Sequence, residues 1–296
     1  MAVRHVYECP VRWADLDMLN HVNNVTYVDY LQEARVDMLR THAPDARSHD
    51  LAGSPTEGLV VVSHDISYLA PIAPRSVPVK IEVWVTEVRA ATVTMAYEIF
   101  DAVEGGDRVL YARASTVLTP FVFADERPRR LRDSEKDALA QFLEEAPTPV
   151  MERSEPRHLA DGHYPLHVRF SDVDVYGHVN NVEYYSYFDT VINTYLITEG
   201  GLDIHLGPAI GLCAESHCRF LREIAFPGSV DAGLRVEKLG NSSVRYGIGL
   251  FRAGEGEPAA EGWFVHVFVD REARRSTPIP DRIRAALAPL VVESPA

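Results

Sequence analysis

Apolar and other residues alternate near the amino terminus. Tyr7, Cys9, Val11 and Trp13 recur at every second position, the period of a strand with one buried face. The same alternation returns at Tyr164, Leu166, Val168 and Phe170. Each run gives way to spacings of three and four: Val25, Val28, Leu31 and Met38 in the first case, Val182, Tyr185, Phe188, Ile192 and Tyr195 in the second. These spacings predict two helices, each with one apolar stripe that aromatic residues make wide. Pro44 and Gly200-Gly201 fit as their terminators. Strand-like runs follow at 58–68, 77–88, 92–100 and 108–119, and again at 212–220, 230–239, 243–251 and 261–270. Gly105-Gly106 and the glycines at 254 and 256 read as hairpin turns. Each half is therefore strand, helix, then four strands. That order predicts an α+β architecture in which an antiparallel sheet wraps around a central helix. A short helix carrying Leu139, Phe142 and Leu143, with its cap at 134–137, precedes Pro147 and Pro149. A comparable short helix is expected near 281–287.

The recurrence is a duplication. RWADLDMLNHVNNVTYVDY begins at Arg12 and RFSDVDVYGHVNNVEYYSY at Arg169, an offset of 157, with 10 of 19 positions identical. The expected organisation is an N-terminal domain over 1–146, a linker over 147–162 and a C-terminal domain over 163–296. Ser63-His64 recurs as Ser216-His217 at offset 153, implying a small length change in between. Adjacent residues on a strand point to opposite faces, so neither pair can form a Ser-His dyad.

Composition narrows the class. A net charge of −14 argues against nucleic acid or an anionic membrane as partner, and weighs against a strongly acidic carrier protein. No apolar run approaches the roughly 18 residues of a membrane span. The opening MAVRHVYECPVRW reads as a strand and not as a signal peptide. Three cysteines, Cys9, Cys213 and Cys218, cannot all pair, which points to a reducing, cytoplasmic compartment. Their spacing is not that of a zinc site, and neither a metal nor another cofactor is expected.

The candidate chemistry lies where strand meets helix. Asp15-x-Asp17-x-x-Asn20-His21-Val22-Asn23-Asn24 is repeated as Asp172-x-Asp174-x-x-Gly177-His178-Val179-Asn180-Asn181. A helix N-terminus offers unsatisfied N–H groups and the positive end of a dipole, which polarise a carbonyl and stabilise its oxyanion. A carboxylate a few residues earlier can orient water as a general base or attack directly. Each copy offers two such carboxylates, Asp15 and Asp17 or Asp172 and Asp174, with a helix cap as the competing reading of Asp17 and Asp174. Asp15 and Asp172 read as loop anchors. His21 and His178 either fix the loop or touch substrate. Asn23 and Asn180, with Asn24 and Asn181, form the candidate substrate-binding set, the first pair chiefly by satisfying backbone groups. Tyr27 and Tyr184 read as packing.

The pattern R-[FWY]-x-D-x-D-x-x-G-H-V-N-N-x-x-Y resembles the hotdog-fold thioesterases, both the 4-hydroxybenzoyl-CoA thioesterase-like proteins and the plant fatty acyl-ACP thioesterases. The resemblance covers the motif strongly in both halves and the strand pattern loosely across nearly the whole chain. It implies two tandem hotdog domains paired as an internal pseudo-dimer, with Asp17 and Asp174 as the catalytic carboxylates. It also implies that backbone N–H groups at or near Asn24 and Asn181 hold the thioester carbonyl, and that His21 and His178 match the motif histidine. Many relatives carry a helical glutamate. Glu33 stands at about that place in the first half, as a second acid/base candidate, whereas the second half has Thr190 with Asp189 beside it. Asn20 replaces the usual glycine, a change tolerable at φ > 0.

The expected activity is hydrolysis of acyl-CoA to free acid and CoA. The rivals are an acyl-ACP thioesterase, whose partner would be an acyl carrier protein, a non-catalytic acyl-CoA-binding protein, and a hotdog hydratase. A homodimer of tandem chains is compatible with the resemblance. Arg127, Arg129, Arg130 and Arg132, with Arg271, Arg274 and Arg275 after the second half, are either solvated charge or contacts for CoA phosphates.

Overall fold

The computed structural model describes residues 3–42, 56–102, 107–144 and 164–292. Two compact units divide between Glu152 and Arg153. Pro44, Gly105-Gly106, Pro147, Pro149 and the linker over 147–162 lie outside the described residues.

In the first unit β1 (His5–Cys9) leads to α1 (Asn24–His42). Then follow β2 (Glu57–Tyr68), β3 (Val79–Val88), β4 (Val93–Ala102), β5 (Arg108–Val122), the two-residue β6 (Arg127–Pro128) and α2 (Asp133–Ala140). The sheet order is β1-β3-β4-β5-β2, antiparallel throughout, with β6 paired to β5. α1 packs on β1 and β3. It buries Tyr27, Val28, Tyr30, Leu31, Ala34, Met38 and Leu39. These positions recur at three and four, so two adjacent rows of the helix are covered and not one narrow seam.

The second unit repeats the order of the first, without a counterpart to β6 among the described residues. β7 (Tyr164–His167) leads to α3 (Asn181–Thr198), followed by β8 (Ala209–Phe220), β9 (Ser229–Leu239), β10 (Ser243–Arg252), β11 (Pro258–Asp270) and α4 (Asp281–Leu287). Its antiparallel order, β7-β9-β10-β11-β8, is the first unit's order again. α3 presses Tyr185 and Phe188 onto Phe264 of β11. α3 ends as its glycines predict: Leu202 N–H reaches back to Leu196 O at 2.9 Å and Gly201 adopts φ 61°.

Three local expectations are corrected. The alternation at Val11-Trp13 and Val168-Phe170 is not strand. The chain turns there into a 3₁₀ segment, leaving Trp13 87% and Phe170 79% exposed. The turn forms because Asp15 accepts the Arg12 N–H at 2.6 Å, and Asp172 that of Arg169 at 2.8 Å. The cap of α2 is Arg132, not the 134–137 segment: Glu135 reaches back to the Arg132 N–H at 2.7 Å, moving the helix start two residues upstream. The Ser-His recurrence is not structural. Tyr27 and Tyr184 donate to the carbonyls of Ala70 and Arg222, and Val22 and Val179 donate to Ile72 and Ile224, an offset of 152. Both strands also bulge at matching places, Val62 and Ala214. In register, therefore, His64 corresponds to Ser216 and Asp65 to His217.

Candidate active site

Each strand-to-helix loop is built around a buried carboxylate. Asp15, 3% exposed, accepts the Arg12 N–H and Nε at 2.6 and 3.0 Å and the Tyr30 hydroxyl at 2.6 Å. Asp172 accepts the equivalents from Arg169, both at 2.8 Å, and from Tyr187 at 2.7 Å. Burial pushes the Asp15 carboxyl up, but the hydrogen bonds from Arg12 and Tyr30 outweigh it and hold the group below the usual carboxylate range. Burial, reinforced by the bond to Asp15, raises the Tyr30 phenol and keeps it protonated as a donor.

Two residues later the chain makes a small hairpin. Asp17 N–H donates to His21 O at 2.9 Å, and Asp174 N–H to His178 O at 2.9 Å. The reversal needs a left-handed residue, supplied by Asn20 at φ 59° and Gly177 at φ 84°. Asp17 Oδ1 accepts the backbone N–H of Leu19 at 2.8 Å and of His21 at 3.4 Å. Asp174 Oδ1 accepts the N–H of Tyr176 at 2.9 Å. Burial raises the Asp174 carboxyl above its ordinary value, and the backbone bonds from Tyr176 and His178 with the nearby imidazole only partly oppose this.

The helix begins against this hairpin. The Asn23 side-chain oxygen accepts the Val25 N–H at 2.8 Å and the Asn180 oxygen the Val182 N–H at 3.0 Å, so both asparagines are helix caps. Their own N–H groups donate to Asp15 O and Asp172 O at 2.9 and 2.8 Å. Asn24 comes next. Among the described residues its backbone N–H meets no acceptor and its buried Nδ2 has no partner. A polar oxygen approaching the helix axis would find both donors. In the second unit Asn181 Nδ2 donates to Asn180 Oδ1 at 3.2 Å.

The structure thus brings Asp17, His21, Asn23 and Asn24 together at one helix start, and Asp174, His178, Asn180 and Asn181 at the other. It does not bring Glu33 to the first group. Glu33 is exposed, about 13 Å along the axis from Asn24, and its charge acts on Tyr7 and Cys9 of β1. Tyr27 ties the helix to the loop after β2, donating to Ala70 O at 3.3 Å and accepting the Ile72 N–H at 3.1 Å.

Sequence reasoning missed Glu223. Its Oε2 lies 2.8 Å from His178 Nε2. At the 152-residue offset its counterpart is Pro71, so comparison of the two repeats conceals it, and a lone glutamate after a strand carries no signal. Several arginines after the first half are engaged. Arg129 and Arg132 bind Glu57 and Glu135, and Arg127 binds Asp125. Arg271 donates to the carbonyls of Gly207 and Ile204. Among the described residues no group of three or more His, Cys, Asp or Glu is arranged to hold a metal ion, and no helix is long and apolar enough to cross a membrane.

Each unit thus sets a carboxylate beside the start of a buried helix that packs on an antiparallel sheet. The chain belongs to the thioesterase-like superfamily, whose model matches residues 11–143 and again 168–287. It is similar in fold to the 12:0-ACP thioesterase from Umbellularia californica, at 14% identity over 90% of this chain and 94% of that one, with a TM-score of 0.70. An acyl-ACP thioesterase from Bacteroides thetaiotaomicron matches at 15% identity over 90% and 98% of the two chains, TM-score 0.66. A Pseudomonas aeruginosa protein is 47% identical over 47% of this chain and 99% of its own, TM-score 0.46. No curated protein matches the sequence.

Proposed function

We propose that this thioesterase hydrolyses acyl-CoA, with Asp17 and Asp174 as general bases and the C-terminal site as the more productive one. The observation that carries the reading is an aspartate fixed by backbone N–H groups at each helix start, with Asp174 raised by burial and His178 bonded to Glu223 in the C-terminal site; in the N-terminal site Asn24 adds an unengaged pair of donors, N–H and Nδ2. Such a pair is pre-positioned for an oxyanion, and the aspartate for a water. In the C-terminal site burial raises Asp174 towards the working pH of a base, and Glu223 orients His178.

The step balances without a cofactor. The aspartate takes a proton from water, and the water oxygen bonds to the thioester carbon. The oxyanion rests on the helix N–H groups, and collapse breaks the C–S bond. The departing thiolate takes the proton, leaving free acid and CoA. The net charge of −14 opposes docking of an acidic carrier protein over a broad surface, whereas CoA, also anionic, needs only local cations for its phosphates. The same reading keeps the enzyme in the cytoplasm, and a homodimer of tandem chains is the assembly to look for by sedimentation.

Free-thiol release from short, long and aromatic acyl-CoAs, and from carrier-bound acyl groups, tests the proposal with wild type, Asp17→Asn, Asp174→Asn and the double variant. Turnover of CoA thioesters that the double variant loses supports it. Turnover of carrier thioesters alone would move the substrate to the carrier. Tight acyl-CoA binding without release of thiol would replace the enzyme with a binding protein.

A further inference from the structure

The loop after β8 is pinned on both sides of Glu223 by bonds that the two units share. Tyr184 donates to Arg222 O at 3.4 Å and accepts the Ile224 N–H, and Val179 donates to Ile224 O at 2.8 Å. In the first unit Tyr27 and Val22 hold Ala70 and Ile72 in the same way. These anchors bring the loop alongside the motif histidine, and in the second unit His178 also bridges to Ala225 through the main chain. The anchors serve Pro71 as well as Glu223, so they do not by themselves aim a carboxylate.

One further bond falls on Glu223 itself. Arg252, the last residue of β10, donates from Nε to Glu223 O at 2.7 Å. Its guanidinium is held in turn by Glu255, whose Oε1 lies 3.7 Å from Arg252 Nη1. Glu255 Oε2 meets Arg222 Nη1 at 3.4 Å. Glu255 therefore steadies both the residue before Glu223 and the donor to it.

The first unit ties its loop elsewhere. Val93 pairs with Leu118, which also pairs with Val61, and Val244 pairs with His266, which also pairs with Cys213. Val61 and Cys213 correspond at the 152-residue offset, so Val93 corresponds to Val244. Further along, past a bulge in each strand, Asp101 corresponds to Arg252. Asp101 accepts Arg75 Nη1 at 2.5 Å and the Tyr111 hydroxyl at 2.7 Å, and so grips the loop beyond Pro71. The strand residue and the loop residue have changed together: aspartate goes with proline, arginine with glutamate.

We propose that Arg252 is a positioning residue of the C-terminal site, which fixes the Glu223 main chain so that its carboxylate meets His178 Nε2, 2.8 Å away. The proposal rests on the acyl-thioester reading, in which His178 stands beside the base Asp174. The Glu223 side chain is 50% exposed, so water leaves it many orientations. Fixing its carbonyl removes main-chain freedom and narrows the set that reaches the imidazole. Arg252 acts through Glu223 and transfers no proton.

The test measures kcat and KM for a CoA thioester with wild type, Glu223→Gln, Arg252→Ala, Arg252→Lys and the double variant Glu223→Gln/Arg252→Ala. Glu223→Gln should lower kcat about tenfold. Arg252→Ala should lower it by most of the same factor with KM unchanged, and the double variant should fall no further than Glu223→Gln. Arg252→Lys, still a donor, should stay within about twofold of wild type. Losses that multiply to about a hundredfold overturn the proposal, because the two residues then act independently. So does Arg252→Ala with the kcat of wild type, or a loss in Arg252→Ala that Glu223→Gln does not show. If wild type releases no thiol from any acyl-CoA, the thioesterase reading has failed. The contact is then read by nitrogen NMR of the full chain with isotope-labelled histidine. A change in the His178 Nε2 resonance that Glu223→Gln and Arg252→Ala share upholds the positioning role, and anything short of a change in both sinks it.

Discussion

The two halves share a fold and a motif but not the surroundings of the motif. In the first, the loop that Val22 reaches at Ile72 O carries Pro71. In the second, burial raises Asp174, and Glu223 stands at the Pro71 position, bonded to His178. The interiors diverge too. Arg35, buried on α1, donates to the Tyr97 hydroxyl at 3.4 Å, where α3 has Ile192. What stayed alike is what the loop needs to hold its shape: an arginine, a buried aspartate and a tyrosine. What changed is the surroundings of the proposed base and the lining of the interior. A duplicated motif is therefore evidence of a duplicated scaffold before it is evidence of two equal sites.

The largest expected effect breaks that comparison directly. Asp174→Asn should lower kcat by about 100-fold or more, the usual contribution of a positioned general base, and Asp17→Asn by less than about tenfold, both read by thiol release. Equal losses would restore two equivalent sites. The same Asp174 variant should also melt higher at neutral pH. A raised folded-state pKa means that folding favours the protonated carboxyl. That contribution is present at low pH and is lost as pH rises through the folded pKa, so at pH 7 the ionised group is a burden that the amide lacks. A lower melting temperature would contradict the assigned direction.

Next in size is packing. Phe188→Ala should cost about 3–5 kcal/mol in urea denaturation, since the ring fills the space above Gly262 and meets Phe264. Glu223→Gln should lower kcat by about tenfold, in line with loss of a partner that orients an imidazole, without moving the melting temperature appreciably. Pro71→Ala in the first unit should leave kcat alone. Smallest and most symmetrical are the caps: Asn23→Ala and Asn180→Ala should each cost about 1 kcal/mol, and a marked difference would mean that one helix start is held by something else.

Much of this was legible in the residues. The duplication, both helices and all eight long strands follow from period and spacing, and the tolerance of φ > 0 at Asn20 follows from the resemblance. The candidate carboxylates Asp17 and Asp174 could each be placed beside its motif histidine and asparagines because those residues are local in sequence. What was not legible is non-local or depends on register. Glu223 meets His178 from a different element, and no period announces it. The Ser63-His64 and Ser216-His217 match came from letters, while a bulge and one residue of offset decide which side chains correspond. Trp13 and Phe170 continued an alternation that a carboxylate had already ended. The arginines after β5 looked available because a sequence does not show Glu57 and Glu135 folding back onto them.

The loop's two aspartates have separable tasks: Asp15 and Asp172 hold the turn through Arg and Tyr, while Asp17 and Asp174 accept N–H groups of the hairpin that follows. A lineage carrying two copies can therefore silence one of the second pair without losing the anchor of the turn. The silenced copy survives as a shaped wall, free to drift in its lining while its twin keeps the reaction. Retirement of a site and invention of a selectivity module are then the same mutational event, and either half of this chain is open to it.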